Sequence, residues 1–218
     1  MLFRSEGLPI AQWLNSIGFS AFILNYRHGP FRQPIPLLDA QRAMRYIRHH
    51  AKRFNILPNA VGILGFSAGG HLATSLSTLG DQDWYPKDYV PDEIDALSAV
   101  PNASILCYPL ISMRNKAHNW SRLNLLGKHA TPDVVSQWSL ENHVSPSTPP
   151  TFVWTTKTDL VVPYEHTLWY QDALKSNKVP HEVHVFNGGQ HGLGLALKHE
   201  EVSKWTSICA VWLSQYLK

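Results

Sequence analysis

The sequence predicts an α/β fold, a mostly parallel sheet of about five strands with helices on both faces. Three observations carry this. Short apolar runs of strand length alternate with longer segments whose apolar residues recur at helical spacing, as in strands joined by crossover helices. The runs are apolar at consecutive positions, the mark of strands covered on both faces. The chain is 44% hydrophobic and 16% charged, which supplies a core and leaves too little charge for coiled coil or long disordered tails. Its 218 residues suit one domain, residues 1–218, with a cap or pocket-wall insertion at 111–150.

The elements follow in order. Ile10, Trp13, Leu14 and Ile17 form one apolar stripe, with Pro9 in the first turn and Gly18 at the stop, and predict a helix. Residues 20–26 read as a strand buried on both faces. Ala40, Ala43, Met44, Ile47, Ala51 and Phe54 predict a helix over 37–54. Its other side, with Arg42, Arg45, Arg48, Lys52 and Arg53, reads as a solvated face. Further strands are expected at 60–65, 103–108, 151–156 and 182–186, and helices at 68–78, 163–176 and 199–217. Residues 80–99 and 111–150 interrupt the alternation. The first is polar and aromatic, with Trp84, Tyr85 and Tyr89, and the second holds Trp120, Trp138 and a Pro-rich exit at 146–150; each reads equally as a pocket wall or as plain surface connection.

Charge and composition exclude several function classes. Nineteen basic against 16 acidic residues give +3, with no clustered basic face, so a nucleic-acid partner is not expected. No apolar run approaches the length of a spanning helix. Cys107 and Cys209 lack metal-ligand or CxxC spacing; a single bridge between them has no support in the sequence. Met1 to Gly7 carry charge at once, with no apolar run and cleavage site, so no signal peptide is read here.

The sharpest motif is Gly65-Phe66-Ser67-Ala68-Gly69-Gly70, placed between a predicted strand and a predicted helix. That is the context of a nucleophile elbow, a strained turn that lifts the serine hydroxyl above the sheet. Glycines flank the serine because side chains there are expected to strike strand or helix. The Ala68 N–H, at the helix start, is positioned to donate to an oxyanion.

A serine hydroxyl needs a base. Among 12 histidines, His191 lies in Asn187-Gly-Gly-Gln-His191-Gly-Leu-Gly194, directly after the last strand. His181 and His184 sit in or beside that strand. His49, His50, His166 and His199 read as helix-surface residues, and His71 packs below the elbow. The base in turn needs a carboxylate. Asp159, ending the strand at 151–158, is the first candidate and Glu165 the second; Asp159 also reads as a simple helix cap. The order Ser67, Asp159, His191 differs from both common protease orders.

At these residues the chain resembles the bacterial acetyl esterase/lipase branch of the α/β-hydrolases, particularly its acetyl-xylan- and feruloyl-esterase-like members. The resemblance rests on Asn25-Tyr-Arg27, Asp39-Ala-Gln-Arg-Ala43, Gly65-Phe-Ser-Ala-Gly-Gly-His-Leu-Ala73, Tyr108-Pro109, Thr158-Asp-Leu-Val-Val-Pro163 and Gly188-Gly-Gln-His-Gly192. It implies Ser67 as nucleophile, His191 as base and Asp159 as orienting acid. It implies no metal and no organic cofactor, and substrates that are small esters, often acetyl groups on sugars.

The chain departs from that family at its start. Relatives carry about three strands before the first helix, the third ending in a glycine-rich oxyanion loop, whereas this chain opens with Met1-Leu-Phe-Arg4 about where that loop ends. The expectation is therefore a truncated α/β-hydrolase with a weakened oxyanion hole. Its third strand would be absent between 20–26 and 60–66, with an export signal lost upstream and a strand edge open to homodimer formation. The reading that follows is a serine esterase for short acyl chains. An amide or peptide hydrolase of the same fold, and a non-catalytic remnant serving as a binding module, stand as alternatives.

Overall fold

The computed structural model describes residues 4–217. Met1 to Phe3, where the resemblance puts the end of the oxyanion loop, lie outside these residues. Among the described residues the sheet has four strands, β1 (Ile63–Phe66), β2 (Ser104–Cys107), β3 (Thr151–Thr156) and β4 (His181–Phe186), all parallel and in sequence order. Pairing aligns Phe66 with Cys107, Cys107 with Trp154 and Thr156 with Phe186, so the carboxyl ends of the strands form one edge.

Helices are α1 (Leu8–Ser16), α2 (Ile35–His49), α3 (Ala51–Phe54), α4 (Ser67–Leu79), α5 (Asn119–Leu126), α6 (Pro132–Gln137), α7 (Glu165–Ser176), α8 (Glu200–Ser203) and α9 (Trp205–Tyr216). The strand period of two divides the core. Ile105, Cys107, Phe152 and Trp154 point to one face and meet Ile10 of α1 and Trp205, Cys209, Trp212 and Leu213 of α9. Leu106 and Val153 point to the other, against Leu37 and Met44 of α2, Leu72 and Leu76 of α4, and Tyr170 and Leu174 of α7. The Trp205 ring stacks on Trp154 with centroids 5.3 Å apart and meets Trp13 edge-on at 5.1 Å. Cys107 and Cys209 are both buried and free, and burial pushes both thiols up.

The structure departs from the sequence reading in four places. Residues 20–26 do not form a strand; among the described residues, no backbone-to-backbone hydrogen bond involves residues 20–27. They run as extended chain with Phe22, Ile23 and Leu24 exposed, and line with β1 a common cleft of about 1970 Å³. A strand needs a neighbour at about 4.8 Å to satisfy its ladder, and a cleft lies where that neighbour would be. The 37–54 helix is interrupted at His50, and α3 closes on Asn55 in the left-handed region (φ 52°). The 199–217 helix is likewise divided at Lys204.

The fourth difference is the arginine face of α2. Arg45 is buried, donating to Leu97 O at 2.7 Å and to the Tyr85 hydroxyl at 2.6 Å. Arg42 pairs with Asp92 and Asp95, and Arg48 donates to Val100 O. These side chains hold the 81–100 segment onto the helix, Arg45 buried and Arg42 and Arg48 half-buried, whereas Lys52 and Arg53 are exposed as read. Charge period alone does not distinguish a solvated face from one covered by a polar loop.

Candidate active site

The carboxyl edge of the sheet assembles the site. Ser67 follows β1 directly and opens α4, with φ of 52°, a left-handed conformation that L-residues adopt under strain. Only a tight approach of strand and helix permits this turn. A Cβ on Gly65 would lie 2.1 Å from Gly69 O, and one on Gly70 would lie 2.8 Å from Pro109 Cβ. A Cβ on Gly69 meets nothing within 4 Å. The expectation that both glycines of the motif avoid collision is thus corrected: the crowded positions are Gly65 and Gly70, and Gly69 borders the open cleft.

Asp159 lies three residues beyond β3 and His191 five beyond β4. The Ser67 Oγ to His191 Nε2 distance is 2.7 Å, and His191 Nδ1 to Asp159 Oδ2 is 2.6 Å. A carboxylate only accepts, so Nδ1 carries the hydrogen and Nε2 is left to accept from the serine hydroxyl. The side chains of His191 and Asp159 are 9% and 1% exposed, so the pair works in a medium far less polar than water. Asp159 Oδ1 meanwhile accepts from Val161 N (2.8 Å) and Val162 N (2.9 Å). Val161 and Val162 lie in a turn and α7 begins only at Glu165, with Tyr164 as its N-cap, so the helix-cap reading of Asp159 is corrected: one oxygen closes the turn and the other meets His191. Glu165 heads α7 and pairs with Lys116 instead.

Ala68 is exposed in the first turn of α4, where N–H groups have no acceptor within the helix. Ala68 and Ser67 border the same cleft.

The loop that carries His191 is pinned at both ends. Gly189 O accepts from the hydroxyls of Thr156 (2.7 Å) and Thr158 (2.9 Å), and Gly189 N donates back to Thr158 at 2.9 Å. At the far end Gly194 N donates to the Tyr108 hydroxyl (3.0 Å), and Gly194 O accepts from Trp205 Nε1 (3.1 Å). Gly189 and Gly194 both have positive φ, and a Cβ on either would crowd a neighbour at under 3.0 Å.

Tyr108, directly after β2, donates its hydroxyl hydrogen to Glu6 Oε1 at 2.7 Å, and its ring lies edge-on to His191 with centroids 4.9 Å apart. Burial pushes the Glu6 carboxyl up, while the Tyr108 hydroxyl and nearby His191 pull the other way. Burial and the neighbouring Glu6 raise the Tyr108 phenol. Glu6 and Tyr108 carried no role in the sequence reading, although Tyr108 shares the edge position, one residue past a strand, that marks Ser67.

The other histidines fall elsewhere. His71 is buried under the elbow, as read, with Nε2 3.0 Å from Trp138 O, and burial lowers it to about 4. His166, read as a surface residue, is fully buried. Its Nδ1 accepts from Ile111 N (3.2 Å) and Ser112 N (3.1 Å), and its Nε2 reaches Lys116 O at 3.2 Å. His184 pairs with Glu182, His181 Nδ1 lies against Val179 O, and His199 caps α8. Among the described residues, no three His, Cys, Asp or Glu side chains are grouped to hold a metal ion, and no helix is long and apolar enough to cross a membrane.

With this geometry in place, comparison with known proteins is informative. A family model described as BD-FAE matches residues 7–174. An acetylxylan esterase of Xylanibacter ruminicola is 37% identical over 194 residues, covering 87% of this chain and 37% of that protein. Endo-1,4-beta-xylanase B of Butyrivibrio fibrisolvens is 37% identical over 206 residues, covering 92% of this chain and 32% of that protein. The chain thus spans about a third of the length of the curated relatives it matches. The crystal structure of an acetyl ester-xyloside bifunctional hydrolase from Caldicellulosiruptor lactoaceticus superposes with a TM-score of 0.91 at 46% identity. That match covers 97% of this chain and 77% of the other.

Proposed function

The chain belongs to the BD-FAE family of α/β-hydrolases, and from that membership and the geometry at Ser67 we propose that it is a serine carboxylester hydrolase for short acyl groups, in particular acetyl groups on plant sugars. The observation that carries the reading is the unbroken hydrogen-bonded chain from Ser67 Oγ through His191 to Asp159, at 2.7 and 2.6 Å. The saccharide side is supported by relatives named as an acetylxylan esterase and an acetyl ester-xyloside hydrolase.

In this mechanism Ser67 Oγ attacks the ester carbonyl while its proton passes to His191 Nε2. Asp159 holds the imidazole in the tautomer that accepts this proton and stabilises the imidazolium. The tetrahedral oxyanion takes the Ala68 N–H, a donor aimed from a helix start. Collapse releases the alcohol, to which His191 returns the proton, and leaves acyl-Ser67. Water, deprotonated by His191, then attacks the acyl carbon and frees the acid. Residues 111–150 would form one pocket wall, since Met113, His118, Trp120 and Leu125 border the cleft that holds Ser67.

A fluorophosphonate probe that reacts with activated serine tests the chemistry. Adduct on Ser67, with hydrolysis of p-nitrophenyl acetate and release of acetate from acetylated xylan, is the expected result. Folded protein that takes no label would favour a non-catalytic binding module. An ester and an anilide of the same acid, assayed side by side, separate esterase from amidase.

A further inference from the structure

Beside the Ser67 cleft lies a second cavity of about 620 Å³, bordered by Lys116, His118, Asn119, Trp120, Leu160 and Pro163. The volume falls within the range of about 300 to 1,000 Å³ typical of ligand pockets. It adjoins the cleft, since His118, Trp120 and Val161 border both. Nothing in the hydrolytic steps employs its side chains.

Scattered exposed apolar residues are ordinary on a protein surface. Here, however, two large ones, one from α5 and one from the turn after β3, border a single cavity beside the cleft: Trp120 is 65% exposed and Leu160 is 96% exposed. Both rims are fixed. Leu160 sits at the tip of the turn whose Val161 and Val162 N–H groups bond to Asp159 Oδ1, while the other oxygen of the same carboxylate holds His191. The apolar rim and the base are therefore registered to each other through one side chain. On the opposite side, buried His166 gathers Ile111 N, Ser112 N and Lys116 O around its two ring nitrogens. Lys116 pairs with Glu165 at the head of α7. His118 Nδ1 lies 3.0 Å from Ser121 Oγ in the first turn of α5, the helix that carries Trp120.

We propose that this cavity is a saccharide subsite, in which the Trp120 indole is the platform for the sugar ring that bears the ester; this rests on the esterase reading above. The chemistry selects the ligand. A pyranoside has a face lined by C–H groups and a rim of hydroxyls. The first suits an exposed indole face, and the second suits the amide of Asn119, the ammonium of Lys116 and the imidazole of His118. A planar aromatic acyl group would call for an enclosed apolar slot, which an open, polar-edged cavity does not offer. The subsite accordingly takes the alcohol side of the ester, leaving the acyl side to the cleft above Ser67.

Two measurements test this. In the first, W120A and W120F are assayed on p-nitrophenyl acetate, which carries no sugar, and on acetylated xylotetraose. The expected result is a KM on the saccharide ester raised by W120A at least about tenfold more than on the nitrophenyl ester, with W120F recovering most of the difference. Equal losses on both esters would overturn the subsite. In the second, unacetylated xylotetraose is titrated into the S67A protein and into S67A/W120A, followed by intrinsic fluorescence. Saturable binding to S67A that weakens about tenfold or more with W120A supports the proposal; no binding to S67A, or binding indifferent to Trp120, sinks it. The titration needs no turnover. A wild-type chain that binds the saccharide through Trp120 yet hydrolyses neither ester would therefore defeat the esterase reading and leave the sugar platform standing.

Discussion

The Tyr108 ring stands edge-on to His191 at 4.9 Å while its hydroxyl bridges Glu6, at 2.7 Å, to the backbone N–H of Gly194, at 3.0 Å. The proposed base is thus held from the side as well as from Asp159. Y108F keeps the ring and removes the bridge, leaving the Gly194 N–H without its acceptor. A lost hydrogen bond of this kind is worth about 1 kcal/mol, or roughly a fivefold change. We expect kcat on p-nitrophenyl acetate to fall by about that factor, with KM little changed. Unaltered turnover would show that the His191 loop is held adequately by Thr156, Thr158 and Trp205.

Glu6 should be visible in stability rather than in rate. Burial raises its folded-state affinity for a proton above that of the unfolded chain. The folded state then binds more protons between the unfolded value and the raised one, so stability falls as pH rises through that window and stays lower above it. E6Q keeps an acceptor for Tyr108 and carries no charge. The thermal midpoint of E6Q is expected to exceed that of wild type at about pH 8 and to converge with it at about pH 3.5, below the ordinary carboxyl value. A midpoint difference independent of pH would contradict this.

D159N tests the tautomer. The amide oxygen still accepts from Val161 N and Val162 N, so the turn is kept. The amide nitrogen, however, donates toward His191 Nδ1 and drives the hydrogen onto Nε2, where it can no longer accept from Ser67. Serine hydrolases lose about 10⁴ in kcat by this change. We expect a loss of that order, with thermal stability near wild type; a loss of tenfold or less would place another group behind His191.

Ser67, Asp159 and His191 were legible because each follows a strand, and strand ends are where short-range patterns are strongest. The four sheet strands were legible for the same reason. Residues 20–26 were not, because an apolar run records its own hydrophobicity and not whether a neighbour lies within bonding distance. The same limit applies to His166. Helix periodicity says which residues share a side, but the 111–118 loop that covers His166 arrives from about 50 residues away in sequence. Arg45 and Glu6 are likewise tertiary facts: both acquire their roles from segments folded back over them.

The elbow glycines make a paired prediction. G65A places a Cβ 2.1 Å from the Gly69 carbonyl oxygen, a backbone atom that cannot step aside. G69A points into open space from within α4, where alanine is favoured over glycine by about 1 kcal/mol. Denaturation should therefore show G65A failing to fold or strongly destabilised, and G69A at least as stable as wild type. If both variants destabilise alike, the crowding assigned to Gly65 and not to Gly69 is wrong.

The two buried histidines predict a stability profile on the acid side. His71 and His166 are held neutral by burial, and His166 Nδ1 accepts two backbone N–H groups, which an imidazolium cannot do. Their folded pKa values lie below the unfolded 6.5, so between the two the unfolded chain binds more protons. Stability is therefore fully present above about pH 6.5 and is lost as pH falls toward about 4, the value to which His71 is lowered. A shift of that size corresponds to about 3 kcal/mol at its limit. Urea denaturation from pH 7 to 4.5 should show the decline. H71N, whatever its stability at pH 7, should decline less steeply, because one of the two proton sinks of the unfolded state is gone. Parallel profiles for wild type and H71N would mean that His71 is already protonated in the fold, and the 3.0 Å contact to Trp138 O would then be that of an imidazolium.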